Sequence, residues 1–499
     1  MKTDVIVIGT GFGGAVSAAN LARAGMNVCI LERGTWWGES QKRRAFPRSL
    51  TGLVRSVHSV HLSNRKFNLS LPLNPRGLFE IHEFNGPNVI AGVGVGGSSL
   101  VYAGISQRPP SDFFDSFPAE LSWSAMENYY QKVEQVLRPS ALPLETEKSQ
   151  KFKNAVSAIE RAKYHPVRQA IFWGNGPDTD EVIENRWGIK QANCRFCDHC
   201  TPGCNRGAKN SLDLNLIPEA LNAGAELRDL CRVDYITTKA GEYEVIYRSL
   251  RNLRRVRLTA PRVVLAAGTI NTHKILLRSR KIPGGLTELS PMLGKRFSMG
   301  GDTSKSYANR DFDFDCKKGH IAEGIMEVID MDGRTDHYVF PIEFILGDRL
   351  RRRPSHHSHG KTLRMIGFGR DNADGELSWN GKALSLTMPN QDVLGRIKKT
   401  MHAISLAYSN SGQEPITGNA DEKPRSLRVR TSAHPMGGCR MGDSADAGVV
   451  DHRGEVFNYP GLFIADASVF CGPPVCAPSL SIAAMSWRIS DMVLHSRPD

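Results

Sequence analysis

Residues 3–33 read TDVIVIGTGFGGAVSAANLARAGMNVCILER, and this stretch decides the fold. Val5–Ile8 is a continuous apolar run of strand length, the pattern of a strand buried on both faces. It leads without a spacer into Gly9-x-Gly11-x-x-Gly14, then into a segment with apolar residues at Val16, Ala19, Leu21 and Ala22 that reads as a helix. A second strand over 27–31 ends at Glu32, eighteen residues after Gly14. The glycines have separate tasks: a tight turn, close approach of the backbone to a pyrophosphate, and close helix–strand packing. The helix N-terminus offers free N–H groups and a positive dipole end to the phosphates. Glu32 would accept hydrogen bonds from the adenosine ribose hydroxyls and repel a 2′-phosphate. Strand, glycines, helix, strand and acid in one unit point to an ADP-containing dinucleotide. A glycine-rich turn in an ordinary α/β domain is the alternative.

The rest of the chain sets bounds around that unit. Its 499 residues exceed what one compact core holds, so two or three domains are expected. Hydrophobic residues make up 40% and charged ones 23%, which suits a globular chain. No run approaches the roughly 20 apolar residues of a membrane span. Met1-Lys2-Thr3-Asp4 runs directly into the first strand, so no signal peptide is expected and the cytoplasm is the expected compartment. The net charge of +13 invites a nucleic-acid reading. The charge is dispersed, however, with knots at 42–44, 251–257 and 349–353, and no aromatics interleave with them. No nucleic acid is expected as partner, and peripheral contact with an anionic membrane surface is left open.

Further segments fall into order after the first unit. Residues 35–76 are polar, basic and weakly periodic, an excursion over the cofactor or substrate entrance. A second glycine-rich run, NVIAGVGVGGSSLVYAG from Asn88, bares the backbone at Gly92, Gly94, Gly96 and Gly97, as close passage along a flat ligand requires. Ser122–Leu137 and 153–162 have helical spacing. Residues 243–258 read as a β-meander, and 262–269 as a strand running into glycine, followed by a helix over 272–279. The segment 300–425 alternates short strand patterns with polar loops. A last buried strand, 462–466, precedes a helix from Pro478 to about Val493, with proline where its missing N–H is not needed.

Four of the ten cysteines crowd into eleven residues, as Cys194-x2-Cys197-x2-Cys200-x3-Cys204. In a chain without export signals this spacing favours metal over structural disulfides. It is the spacing of bacterial ferredoxin ligands; zinc, or reduced thiols and disulfides, are the other readings. His356, His357 and His359, beside Arg351–Arg353, read as a polar loop before a second metal site.

Taken together in this order, these blocks resemble the glucose–methanol–choline (GMC) FAD-dependent oxidoreductases, and among them the cholesterol-oxidase-like branch. The resemblance covers about half of the chain. It implies an α/β fold: a discontinuous Rossmann-like FAD-binding domain (1–110, 201–299 and 429–499) and an α+β substrate domain built on an antiparallel sheet (111–200 and 300–428). The implied FAD site takes in Gly9, Gly11, Phe12, Gly13, Gly14, Glu32 and Arg33, then Gly94, Gly96, Gly97 and Ser98. Val233 would face the adenine, and Ala267, Gly268 and Asp466 would lie along the cofactor. Pro478, Ser479 and Leu480 would aim a helix N-terminus at the flavin pyrimidine edge, favouring the anionic reduced flavin.

The same resemblance implies that His434, in SAHPMGGC, faces flavin N5 and accepts the hydroxyl proton as hydride leaves the alcohol carbon. Two departures stand out: Ala477 replaces the second polar residue of the family, and Tyr102 replaces an asparagine of its sterol oxidases. Glu343 is in rough register with the isomerase glutamate of those oxidases but reads as structural. The expected substrate is a small-molecule alcohol, whether sterol-like, sugar- or aminoglycoside-like, or aromatic. The expected acceptor is O₂ or a redox protein. Some sugar dehydrogenases of the superfamily carry an iron–sulfur cluster in a comparable insertion, so Cys194, Cys197, Cys200 and Cys204 are its implied ligands. The rival function is an electron-transfer or redox-sensing flavoprotein; a NAD-dependent dehydrogenase on the first motif is a third.

Overall fold

Val5–Ile8 lies at the centre of a parallel sheet in the computed structural model. The strand order is Glu226–Arg228, Val28–Leu31, Val5–Ile8, Arg262–Leu265 and Leu462–Ile464. The structure describes residues 2–38, 44–63, 68–308, 320–342, 362–381, 383–389, 392–409, 416–417 and 431–496. Glu343, His356, His357 and His359 lie outside the described residues. All four residues of Val5–Ile8 are buried, as the apolar run requires. Helix Phe12–Arg23 crosses back over the sheet and packs on the C-terminal helix Ser479–His495, where Asn20 donates to Ser490 Oγ at 2.8 Å.

A second sheet, six-stranded and antiparallel, runs Ile416–Thr417, Thr303–Ala308, Thr362–Gly369, Thr335–Pro341, Gly324–Ile329 and Ala162–Pro166. Strand alternation gives it two faces. Tyr307, Met326, Val339, Leu363 and Met365 point to one side, under helices Glu147–Ser157 and Asp392–Ser409. Ile325, Tyr338, Phe340, Ile366 and Phe368 point to the other, into an apolar cluster with Ile105, Cys200 and Ala477. This α/β arrangement, a Rossmann-like sheet beside an antiparallel one, is the expected architecture. Helix Trp123–Leu137, from the segment expected in the substrate domain, packs on the C-terminal helix, with the Tyr130 hydroxyl donating to Ser481 Oγ at 2.9 Å. No helix among the described residues is long and apolar enough to cross a membrane.

Two local expectations give way. The helix expected over 153–162 is Glu147–Ser157, because Thr146 and Ser149 form a capping box that starts it at Glu147; Ala162–Pro166 then pairs with Gly324–Ile329 as an edge strand. The excursion over 35–76 contains helix Leu50–Arg55 and strands Val57–Ser63 and Asn68–Pro72. These strands join Phe79–Phe84, Asn88–Gly92 and Thr431–Ser432 in a five-stranded sheet. Its inward positions are filled by His58, Ser59, Glu80 and His82. Polar residues at buried positions erase the alternation by which a strand is recognised.

Candidate active site

The glycine turn is shaped by its neighbours on every side but one. A Cβ on Gly9 would stand 2.3 Å from the Ala266 carbonyl oxygen, and one on Gly14 2.0 Å from the Gly9 carbonyl oxygen. On Gly13 it would stand 1.6 Å from the Ala465 carbonyl oxygen, so these three glycines are packing requirements. A Cβ on Gly11 would meet no protein atom within 4 Å. That open face begins helix Phe12–Arg23, whose N-cap, Gly11, makes no side-chain hydrogen bond. Gly97 approaches Gly11 so closely that a Cβ there would stand 2.6 Å from Gly11 Cα, so the two glycine loops share one cradle. Free helix N–H groups facing open space beside bare backbone fit a pyrophosphate.

Glu32 closes the far end of this cradle. It accepts from the Thr10 N–H at 3.1 Å, the Thr10 hydroxyl at 2.6 Å and the Gly34 N–H at 2.8 Å. Burial pushes its carboxyl up against those three bonds. The Cys231 N–H donates to the Glu32 carbonyl at 2.7 Å, which sets strand Cys231–Lys239, and with it Val233, alongside. Arg33 is turned elsewhere: its two N–H groups meet the two Glu80 oxygens at 2.6 Å each, beside His61 and His82. His61, Glu80 and His82 have ligand spacing for a cation, but the Arg33 guanidinium already holds the carboxylate. Ser98 Oγ accepts from the Gly92 N–H at 3.1 Å. Asp466 accepts from the Gly268 N–H at 3.0 Å, the Thr272 hydroxyl at 2.5 Å and the Ser468 N–H at 2.9 Å. It thereby fixes the Ala267–Gly268 turn that opens helix Thr269–Ser279. Pro478 caps the C-terminal helix, Ser479 donates to the Ile105 carbonyl at 3.0 Å, and Leu480 is fully buried.

His434 is held by a residue that the sequence did not reveal. Its Nδ1 lies 2.7 Å from Asp302 Oδ2. The backbone brings them together: Lys295–Ser298 pairs with Met436–Gly437, and the Gly300–Gly301 turn delivers Asp302 beside the ring. Ser432 Oγ stands 2.7 Å from the same carboxylate oxygen and accepts the His434 N–H at 2.9 Å. The carboxylate is buried, while the imidazole is 28% exposed. An acidic acceptor at Nδ1 selects the tautomer with hydrogen there and leaves Nε2 as the basic nitrogen. Phe368 packs edge-on to the ring at 5.1 Å. Ala477 lies in the same apolar cluster as Phe368, so the polar partner expected opposite His434 is replaced by apolar lining. The Tyr102 hydroxyl donates to the Asn210 carbonyl at 3.1 Å and is committed there.

Cys194, Cys197, Cys200 and Cys204 all line one pocket, together with His320 and Lys209. No disulfide joins the nine described cysteines. No three of the four sulfurs lie mutually within 4.8 Å, whereas tetrahedral zinc at about 2.3 Å per bond would draw them to about 3.8 Å. Burial pushes the Cys194, Cys197 and Cys200 thiols up, Cys194 to about 12, so a metal binding there must displace protons. Lys209, fully buried, donates to the carbonyls of Leu100 (2.9 Å), Tyr102 (2.7 Å) and Cys200 (2.8 Å). It bolts the cysteine loop to the end of the second glycine-rich run.

Comparison with known proteins agrees with this fold. Two family models described as GMC oxidoreductase match residues 3–298 and 391–486. A cholesterol oxidase of Mycobacterium tuberculosis is 26% identical, the match covering 98% of this chain and 90% of that protein. A long-chain-alcohol oxidase of Arabidopsis thaliana is 22% identical, over 99% of this chain and 68% of its own. Among solved structures, pyridoxine 4-oxidase from Mesorbium loti is similar in fold with a TM-score of 0.65 at 15% identity, covering 99% of this chain and 100% of that one. Formate oxidase of Aspergillus oryzae, in a structure concerned with its FAD modification, gives a TM-score of 0.67 at 14% identity, covering 99% and 98%.

Proposed function

The chain belongs to the GMC oxidoreductase family, and from that premise we propose that it oxidises the C–OH group of an alcohol to a carbonyl with bound FAD. The observation that carries this reading is the His434–Asp302 contact. FAD, when bound in the cradle of Gly11 and Gly97, supplies the hydride acceptor. His434 Nε2 takes the hydroxyl proton of the substrate. Asp302 keeps the other nitrogen protonated and stabilises the imidazolium that results, so the ring need not reorient as it gains charge. The N-terminus of helix Ser479–His495 favours negative charge on whatever lies before it.

Phe368, which packs on His434, belongs to an apolar cluster with Phe340, Ile105 and Ala477, and this supports a sterol-like or aromatic alcohol over a sugar. The names of the relatives, cholesterol oxidase and long-chain-alcohol oxidase, support the same substrate class. Anaerobic bleaching of the visible flavin band by a panel of alcohols tests the activity. Apolar alcohols should bleach it, and reduction only by a protein donor would favour an electron-transfer flavoprotein instead. His434→Ala should retain FAD and slow bleaching by about 10²–10⁴; an unchanged rate removes His434 from the role.

The four thiols support a second cofactor, which we read as an iron–sulfur cluster. Their spacing is that of ferredoxin ligands, and their spread in one pocket suits four separate irons better than one zinc. Iron and sulfide analysis of anaerobically purified protein tests it; zinc alone, or no metal, refutes it.

A further inference from the structure

His320 is fully buried, with Nε2 3.4 Å from Cys200 Sγ. It reaches the thiol from 120 positions along the chain and is no part of the cysteine motif. Several contacts hold it in place. Lys148 donates to its carbonyl at 2.7 Å, and its N–H donates to Glu323 Oε1 at 2.6 Å. Trp173 and Phe196 stand edge-on to the ring at 5.0 and 6.2 Å. A ring so enclosed cannot swing away from the sulfur. A thiolate offers acceptor sites only, so the contact is favourable when Nε2 carries the hydrogen.

We propose that His320 donates an N–H···S hydrogen bond to the Cys200 thiolate and thereby raises the reduction potential of a cluster held there; this rests on the iron–sulfur reading of the four thiols. Hydrogen bonds to ligating sulfurs withdraw charge from the metal centre and favour its reduced form, which carries one more negative charge. Cys194 and Cys197 face backbone amides, those of Phe196 and His199. Cys200 faces a side chain, the one donor of these three that a substitution can remove. Cys200 is also the cysteine whose backbone carbonyl Lys209 ties to those of Leu100 and Tyr102. His320 therefore acts on the cysteine whose backbone is anchored to the second glycine-rich run. It is a positioning and tuning residue, not a ligand.

The test uses the whole holoprotein, purified anaerobically, with a spectroelectrochemical titration of the cluster bands. His320→Phe keeps the aromatic fill and removes the donor. The expected result is unchanged iron and sulfide, an unchanged rate of flavin bleaching by alcohol, and a cluster midpoint shifted to lower potential. His320→Gln, whose amide nitrogen reaches about as far as Nε2 and can donate to the same sulfur, should recover most of that shift. An unmoved midpoint in His320→Phe with iron retained overturns the inference and leaves the cluster reading standing. Loss of iron from His320→Phe but not from His320→Gln would make His320 a holder of the site, which also overturns it. Zinc alone, or no metal, in the unsubstituted protein overturns both.

Discussion

Asp302 lies 132 positions from His434 in the chain, in the stretch with the weakest local signals, and no spacing rule connects the two. His434 itself was legible because its Pro-Met-Gly-Gly context repeats a family block. Asp302 announces itself only through Gly300-Gly301, a turn signal that says nothing of a partner. Their pairing is tertiary, made by a strand pair that the sequence does not register. The contact predicts a specific kinetic signature. Asp302→Asn keeps an acceptor near Nδ1 but removes the charge that stabilises the imidazolium. A neutral partner leaves the imidazole a weaker base. Flavin reduction should slow by about 10–100-fold, in line with the loss of one charge-assisted hydrogen bond. KM should change little. An unchanged rate of flavin reduction would reduce Asp302 to a packing role.

At the scale of elements, the opening βαβ unit was readable because each of its signals coincides with a physical need. Val5–Ile8 is buried on both faces, Gly9 adopts φ +102°, and Gly14 lets the helix meet the turn. The same geometry separates glycines that fold the unit from the one that opens it. Gly14→Ala would drive a Cβ to 2.0 Å from a carbonyl oxygen, an overlap whose relief costs on the order of 1–3 kcal/mol or more. Gly11→Ala meets no protein atom and should leave the thermal midpoint of the apoprotein within about 1 °C, given the weak effect of isolated surface changes. Its methyl group enters the space beside the helix N-terminus, so FAD retention through gel filtration should fall sharply. Thermal scans and flavin-to-protein absorbance ratios on both variants decide the point. A Gly11→Ala protein that holds FAD as firmly as before would place the pyrophosphate elsewhere. Where the elements were misread, in the helix expected over 153–162 and the excursion over 35–76, a cap or a polar strand interior outweighed hydrophobic period.

Across the whole molecule, His434 sits on a segment shared by two sheets. Thr431–Ser432 pairs with Asn88–Val89 in the five-stranded sheet, and Met436–Gly437 pairs with Phe297–Ser298 in a second. The first of these sheets has a polar interior, and its titration couples acid stability to the site. Burial, assisted by the nearby Arg33 guanidinium, pushes His58 down to about 4. Burial pushes His82 down to about 4 as well, against the pull of Glu80. In the unfolded chain both take protons near 6.5, so between pH 6.5 and 4 the unfolded state binds more protons than the folded one. Stability from these groups is therefore complete above about pH 6.5 and is lost as pH falls toward 4. Each histidine contributes on the order of 3 kcal/mol by the bottom of that window. Glu80, held well below the usual carboxylate range chiefly by Arg33 against its own desolvation, loses its contribution only at lower pH, so it adds to the acid loss without moving its onset. The thermal midpoint of the holoprotein should be flat from pH 8 to about 6.5 and then fall steadily toward pH 4. FAD should be released in the same interval, because the strand beside His434 belongs to the destabilised sheet. His58→Leu, which removes one of the two titrations, should flatten part of that slope. A midpoint that stays level down to pH 4.5 would show that the polar interior of the sheet is not what acid attacks first.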